Sequence, residues 1–213
     1  MIEIEAREAY RLWAPCYDST PNPLLALESR VIADRLPIVR GQVVIDVATG
    51  TGRWAEFAGA RGARVIGVDL CRDMLTQGSC GERVQADMLS LPFRDGFADL
   101  AICSLALGYI LSPAAALREM ARVARRVVMS DLHPDAVRQG WTRSFRAGAD
   151  SVRIRSYAHS LEDFEEAGLL REWMVEARFG PEEFSIFTAA GREDLYAKAS
   201  AVSALFVASW VHP

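Results

Sequence analysis

Three carboxylates and one glycine-bearing loop are the residues best suited to chemistry. In VVIDVATGTGRWA, residues 43–55, an apolar run reaches Asp46 and then breaks into Ala48, Thr49, Gly50 and Gly52. Asp69 stands near the end of the next apolar run, ARVIGVDL, and Asp87 near the end of a third, ERVQADM. Glycine lets a backbone turn sharply and approach a ligand closely, and a helix after such a turn aims its first amides at that ligand. Taken alone, GTGRWA fits the G-x-G-x-x-A dinucleotide fingerprint, with Asp69 at about the distance that holds a ribose. Asp46 argues against a pyrophosphate, because a carboxylate just before the loop repels it. The same carboxylate suits a ligand with an ammonium and a sulfonium, and Asp87 lies where an adenine amino group could donate to it. A nicotinamide-dependent oxidoreductase is therefore the competing expectation.

These residues need strands and helices to hold them. QVVIDVA, ARVIGVDL, ERVQADM, FADLAICSLAL and RRVVMSDL read as strands; the first is a β-branched run of the kind buried on both faces of a parallel sheet. RWAEFAGARG reads as a helix stopped by Gly62, and CRDMLTQGS as a short one. SPAAALREMARVAR carries Ser112 as its cap, Pro113 in its first turn, and Leu117, Met120, Ala121 and Ala124 on one face. Residues 4–15 and 23–36 read as N-terminal helices, and HSLEDFEEAGL as a helix with Ser160 in a capping box. REWMVEARF and SALFVASWV read as late strands, the second suited to an antiparallel edge. The alternation between 42 and 132 predicts an α/β fold: a Rossmann-like, doubly wound, mostly parallel sheet with N-terminal helices and a C-terminal antiparallel edge strand.

At this point the residues resemble a known family. VIDVATGTGRWA resembles motif I of the class I S-adenosylmethionine-dependent methyltransferases, and VIGVDLCRDML their second motif. VQADMLSLPFRDGFADLAICSLALGYI resembles the block holding their adenine site and fourth strand, and LREMARVARRVVMSDL the helix that leads to strand five. The match covers roughly residues 8–132, and the nearest subgroup is the small-molecule type that includes the ubiquinone/menaquinone enzymes. Two departures stand out: Ala48 replaces the first glycine of the motif, and ARRVVM lacks the usual Pro-Gly-Gly before strand five. The resemblance implies S-adenosyl-L-methionine as cofactor and S-adenosyl-L-homocysteine as product. It implies that Ala48, Thr49, Gly50 and Gly52 line the methionine portion, with Asp46 near the ammonium. Asp69 would accept both ribose hydroxyls, Leu70 and Met88 would pack on adenine, Asp87 would accept from its amino group, and Ser104 would face the methionine.

Methyl transfer needs alignment of nucleophile and methyl and exclusion of water more than a fixed triad. YRLWAPCYDSTPNP resembles the W-A-x-x-Y-D segment of the subgroup, which implies Tyr17 as a lid contact over the cofactor, with Trp13 beside it. Tyr109 in ALGYI is placed near the same cleft, and His133 follows the fifth strand, where an imidazole could act as a base. His133, Tyr17 and Tyr109 are thus the catalytic candidates. Trp13, Trp141, Arg143, Arg146 and His159 are the acceptor-binding candidates, the arginines because guanidinium groups suit an aromatic or carboxylate-bearing molecule. Ordinary alternatives stand beside these readings: a core aromatic pair, a loop histidine, a solvated arginine face.

One methyltransferase domain is expected over 1–213: an N-terminal helical lid at 1–40, a cofactor-binding core at 41–132, a substrate lid at 133–160, and a C-terminal helix and strands at 161–213. The expected activity is methyl transfer to an O, N or C atom of a small molecule, in secondary metabolism, or cofactor binding without turnover. The 213 residues carry a formal net charge of −4, with no basic surplus that would argue for nucleic acid as an obligate partner. The absence of a long apolar run or a signal-like start leads to a cytoplasmic expectation with no membrane partner. Cys16, Cys71, Cys80 and Cys103 have no zinc spacing, so no metal is expected. Lys198 is the only lysine in an arginine-rich chain.

Overall fold

Runs of β-branched residues bounded by capped helices build the centre of this chain. The computed structural model describes residues 2–78, 81–148 and 150–213. Ser79, at the end of the expected short helix, and Cys80, one of the four cysteines, lie outside the described residues, as do Met1 and Ala149. The chain begins with β1 (Ile2–Ile4), α1 (Ala6–Trp13) and α2 (Pro23–Ile32), then β2 (Val43–Val47), α3 (Arg53–Ala60), β3 (Arg64–Asp69) and α4 (Arg72–Gln77). It continues through β4 (Glu82–Gln85), β5 (Ala98–Ser104), α5 (Pro113–Val123), β6 (Ala124–Leu132) and α6 (Pro134–Arg138). After β7 (Ser144–Ala147) and β8 (Asp150–Ile154) come α7 (Leu161–Glu165), β9 (Leu170–Ala177), α8 (Pro181–Ala189), α9 (Glu193–Ala199) and β10 (Leu205–Val211).

Seven strands form one sheet in the order β4-β3-β2-β5-β6-β10-β9. Strand β2 marks the switch point: β3 and β4 lie to one side, and the chain then returns to β5 and β6 on the other. That reversal opens a crevice beyond the carboxyl ends of β2 and β5, where ligands bind in folds of this type. Ile45, Val47, Ala101, Cys103, Val127 and Met129 face α5 across one buried core, and Val44, Leu100, Ile102 and Val128 face α2 and α8 across another. Helix α5 starts where the sequence places it: the Ser112 hydroxyl accepts from the Ala115 N–H, and Pro113 needs no partner. It runs straight into β6 at Val123–Ala124, which explains how the chain does without Pro-Gly-Gly there.

The α/β class and the parallel order agree with the sequence reading, but the edge does not. Strand β10 is antiparallel to both β6 and β9 and sits inside the sheet, so β9 is the edge. Six of the seven β10 residues are buried apolar or small side chains, which suits an interior position. The expected helix at 4–15 starts only at Ala6, because Ile2–Ile4 pairs in parallel with Val152–Ile154. With β7 antiparallel to β8, this makes a second, three-stranded sheet. Segments 1–40 and 133–160 are therefore joined by a shared sheet. Against it Ala9 and Trp13 of α1 pack on Phe145, Val152 and Ile154, with the Trp13 and Phe145 rings stacked at 4.7 Å and 2°. The expected third strand stops at Gln85, so Asp87 stands two residues beyond it, bridged to Ser90.

Candidate functional site

A cavity of about 830 Å³ lies over the carboxyl ends of the parallel strands. One end is built by the glycine loop. Ala48 (φ 56°) and Gly50 (φ 59°) both take the left-handed conformation, so backbone rather than side chain meets the cavity. Alanine tolerates this at a cost that bulkier residues would raise. Gly52 (φ 99°) caps α3 and shapes the turn from behind; it is not part of the lining. Thr51 in the same loop donates its hydroxyl to Asp18 Oδ1 at 2.8 Å, tying the loop to the segment after Tyr17.

Asp46 lies beneath the loop, 1% exposed, and its Oδ2 accepts from Thr49 Oγ1 at 2.6 Å and the Ala55 N–H at 2.9 Å. Burial raises its pKa to about 7, against the partial relief of the Thr49 hydrogen bond and the Arg53 charge. Asp69 accepts from the Gly50 N–H and the Cys71 N–H, each at 2.8 Å, and burial lifts its pKa above the ordinary carboxylate value. Asp87 is exposed and accepts from the Leu89 N–H. These three carboxylates, with Leu70, Met88 and Ser104, line the same end of the cavity.

Gly78, which the sequence did not single out, supports the loop from outside. A Cβ there would lie 2.4 Å from the Thr51 carbonyl oxygen, a backbone atom that cannot swing aside. Gly78→Ala should therefore displace the loop and destabilise the protein by about 1–3 kcal/mol, the cost of overpacking. A thermal melt that leaves the midpoint unmoved would contradict this.

Aromatic rings form a further wall, with Tyr10 and Tyr17 packed against Cys71 and Met74 beside the loop. Tyr10, Trp13, Tyr17 and Tyr109 line the cavity there, the Tyr10 and Tyr109 hydroxyls 2.8 Å apart and Trp13 edge-on to Tyr17 at 4.9 Å. Burial pushes the Tyr10, Tyr17 and Tyr109 hydroxyls upward, so all three stay protonated near neutral pH and can donate rather than act as bases. Arg143, also on the wall, pairs with Asp131 at 2.5 Å and stacks over the Tyr109 ring at 4.8 Å. Asp131 is held further by the Gly108 and Leu132 N–H groups, each at 2.7 Å. Trp141 lines the cavity and stacks on Phe179 at 6.0 Å.

Besides Gly52, three sequence candidates do not reach this cavity. His133 is buried as the cap of α6, its Nδ1 accepting from the Asp135 N–H at 3.1 Å and its Nε2 3.4 Å from Glu176 Oε2. Pro134 starts a helix directly after it, and that turns the imidazole away from the cleft. His159 places Nε2 3.0 Å from the Ile110 carbonyl and lines a smaller surface recess instead. Arg146 sits exposed on β7, outside the lining. Conversely, the sequence reading missed Glu28, Arg53, Asp131 and the whole of α8 and α9. Glu28 had a signal: it occupies the apolar stripe of α2 between Leu27 and Val31. Asp131 had the same one as Asp46, a carboxylate ending an apolar strand.

Residues 45–128 match the family described as "Methyltransferase domain". The demethylmenaquinone methyltransferase of Paenarthrobacter aurescens (strain TC1) is 31% identical over 134 residues, 57% of this chain and 53% of that one. The chain thus spans about half the length of that relative. Among solved structures, an S-adenosylmethionine dependent methyltransferase from Mesorhizobium loti superposes with a TM-score of 0.68 at 19% identity, covering 90% of this chain and all of the other. A geranyl diphosphate C-methyltransferase from Streptomyces coelicolor A3(2), solved with Mg2+, geranyl diphosphate and S-adenosyl-L-homocysteine, gives 0.66 at 13% identity over 89% of this chain and 79% of that one. At such identities these two structures establish a shared fold.

Proposed function

We propose that this chain is a class I S-adenosylmethionine-dependent methyltransferase of the ubiquinone/menaquinone-like type and moves a methyl group from that cofactor to an O, N or C atom of a small molecule. The observation that carries the reading is the gathering of Asp46, Asp69 and Asp87 with a left-handed backbone loop at one end of one cavity. Three carboxylates suit a cationic adenosyl ligand and repel a pyrophosphate. In this reading the Ala48–Gly50 backbone holds the methionine portion, and Asp46 and Ser104 face its ammonium. Asp69 takes the ribose hydroxyls, Leu70 and Met88 flank adenine, and Asp87 accepts from its amino group. When bound, the cofactor supplies an electrophilic methyl on a sulfonium.

The chain's own residues align the acceptor and exclude water. Tyr17, Trp13 and the Tyr10–Tyr109 pair cover the site, and the protonated tyrosines donate to an acceptor oxygen. Arg143 keeps Tyr109 oriented through its stack on the ring. The buried His133 has no part in this, so an acceptor that must lose a proton gives it to solvent or is already ionised. Residues 1–40 and 133–160 act as the lid over the 41–132 core. A small-molecule rather than nucleic-acid partner, a place in secondary metabolism and a cytoplasmic location belong to the same proposal. No described helix is long and apolar enough to cross a membrane.

Isothermal titration with S-adenosylhomocysteine and with NAD tests the reading: the first should bind and the second should not. Binding of NAD alone would overturn it.

The titration of Asp46 adds a pH signature. Its carboxyl stays half protonated near pH 7 in the free protein, against an ordinary 3.8. A bound ammonium favours the ionised form, so cofactor affinity should climb with pH, by up to about tenfold per unit between about pH 5 and 7, and level off above. Stability runs the other way. The unfolded chain releases this proton first, so the free protein loses stability as pH rises through the same window. Asp46→Asn should flatten the affinity profile; a slope that persists in that variant would place the titrating group elsewhere.

A further inference from the structure

The cavity is polarised. Its three carboxylates other than the buried partners crowd the glycine-loop end, and its cations follow a different pattern. Five cations line it: Arg7, Arg53, Arg143, Arg192 and Lys198. The two that are largely buried are neutralised internally, Arg53 by Glu28 and Arg143 by Asp131. Arg7, Arg192 and Lys198 have no ion-pair partner among the described residues, and Arg192 and Lys198 lie together on α9 and its cap.

Helix α9 and its cap sort their charges by face. Arg192, Leu195, Lys198 and Ala199 recur at helical spacing and all line the cavity, whereas Glu193 and Asp194 do not. The helix thus turns two cations and two apolar side chains inward, although its own acidic residues were equally at hand to neutralise them. Between α9 and the glycine loop the wall is apolar, with Leu24, Trp141, Phe179 and Phe187. A neutral acceptor would fill that wall and leave both cations facing solvent. An anion on an apolar body fills the wall and meets the cations.

From this sorting we infer that Arg192 and Lys198 form an anion subsite, and that the methyl acceptor is an apolar or aromatic molecule carrying a carboxylate or phosphate ester at the end remote from the cofactor. The inference rests on the methyltransferase reading above. The acceptor's apolar body lies along Leu24, Phe179 and Phe187, its anionic end sits at α9, and its reactive end points to the loop. Both cations are exposed at the rim, so their contribution is screened by salt.

The test compares 2-naphthoate, 2-naphthyl phosphate and 2-naphthol as probes on the protein saturated with S-adenosylhomocysteine, by isothermal titration at low salt. At least one anion should bind about tenfold or more tightly than the naphthol, and added salt should shrink the gap. The preferred anion distinguishes a carboxylate from a phosphate ester. In the R192Q/K198Q double variant the preference should vanish while S-adenosylhomocysteine binds as before. Equal affinities, no binding of either anion, or a preference that survives in the double variant would overturn the inference. If S-adenosylhomocysteine itself fails to bind the unaltered protein, the methyltransferase reading falls. The same three probes on the protein alone then still decide the anion preference.

Discussion

Glu28→Ala is expected to lower the unfolding free energy by about 3 kcal/mol, a fall in melting midpoint of about 6–12 °C for a domain of this size. Glu28 is fully buried on the apolar face of α2. Its Oε1 accepts from the Ser104 hydroxyl at 2.7 Å and from the Ser130 hydroxyl, and its Oε2 pairs with Arg53. Arg53 in turn donates to Ser29 at 2.9 Å and Ser104 at 3.1 Å. One carboxylate thus joins α2, the start of α3 and the ends of β5 and β6. Removing one partner of a buried pair costs about 3–5 kcal/mol, mostly from the charge left behind. Arg53 remains 32% exposed and keeps two serine partners, so the lower end of that range applies. Glu28→Gln retains the volume and an acceptor for the serines but not the charge, and should recover part of the loss. A midpoint within about 2 °C of the parent for both variants would mean the network contributes nothing to stability. Because Arg53 and Ser104 line the cavity, S-adenosylhomocysteine affinity should fall along with the midpoint.

That network shows where a single sequence stops being legible. Strands β2, β3 and β5 could be read because burial on both faces leaves an unbroken apolar signature, and the carboxylates beside them inherit their placement from the strand ends. Strands β1, β7 and β8 have no such signature. Each is five residues or fewer, and Ile2 finds its partner 150 positions away at Val152. Their formation depends on tertiary pairing, which local propensity does not encode. The same holds for function. Asp46 and Asp69 lie where their strands put them, whereas the direction His133 faces was decided by a proline-led helix one residue later. Chain position placed it correctly at the carboxyl edge and said nothing about where its ring would turn. Lys198, noted in the sequence only as the sole lysine, gains a place from the folded α9, where it lines the cavity with Arg192 and Leu195.

Asp69→Ala should weaken S-adenosylhomocysteine binding by about 1.5–3 kcal/mol, roughly 10- to 150-fold, the scale of hydrogen bonds to a charged group. Two effects compete in this variant. Burial of the carboxylate is costly, as its raised pKa shows, so deleting it removes a desolvation penalty from the free protein. Against that, the Gly50 and Cys71 N–H groups lose their acceptor, and Gly50 belongs to the loop that must hold its shape for the ligand. Folding feels both and they offset, so the melting midpoint of the free protein should move by only about 2–4 °C, the shift that 1 kcal/mol produces. Binding feels only losses: the ribose hydroxyls lose their acceptor, and the loop must be ordered by the ligand instead of by Asp69. Asp69→Asn separates the two contributions. Its carbonyl oxygen can still accept from one loop N–H, while its amide cannot serve both ribose hydroxyls, so it should keep the midpoint and recover only part of the affinity. Unchanged binding in the alanine variant would refute the ribose assignment. A midpoint loss as large as that of Glu28→Ala would instead make Asp69 a structural carboxylate whose service to the loop outweighs its service to a ligand.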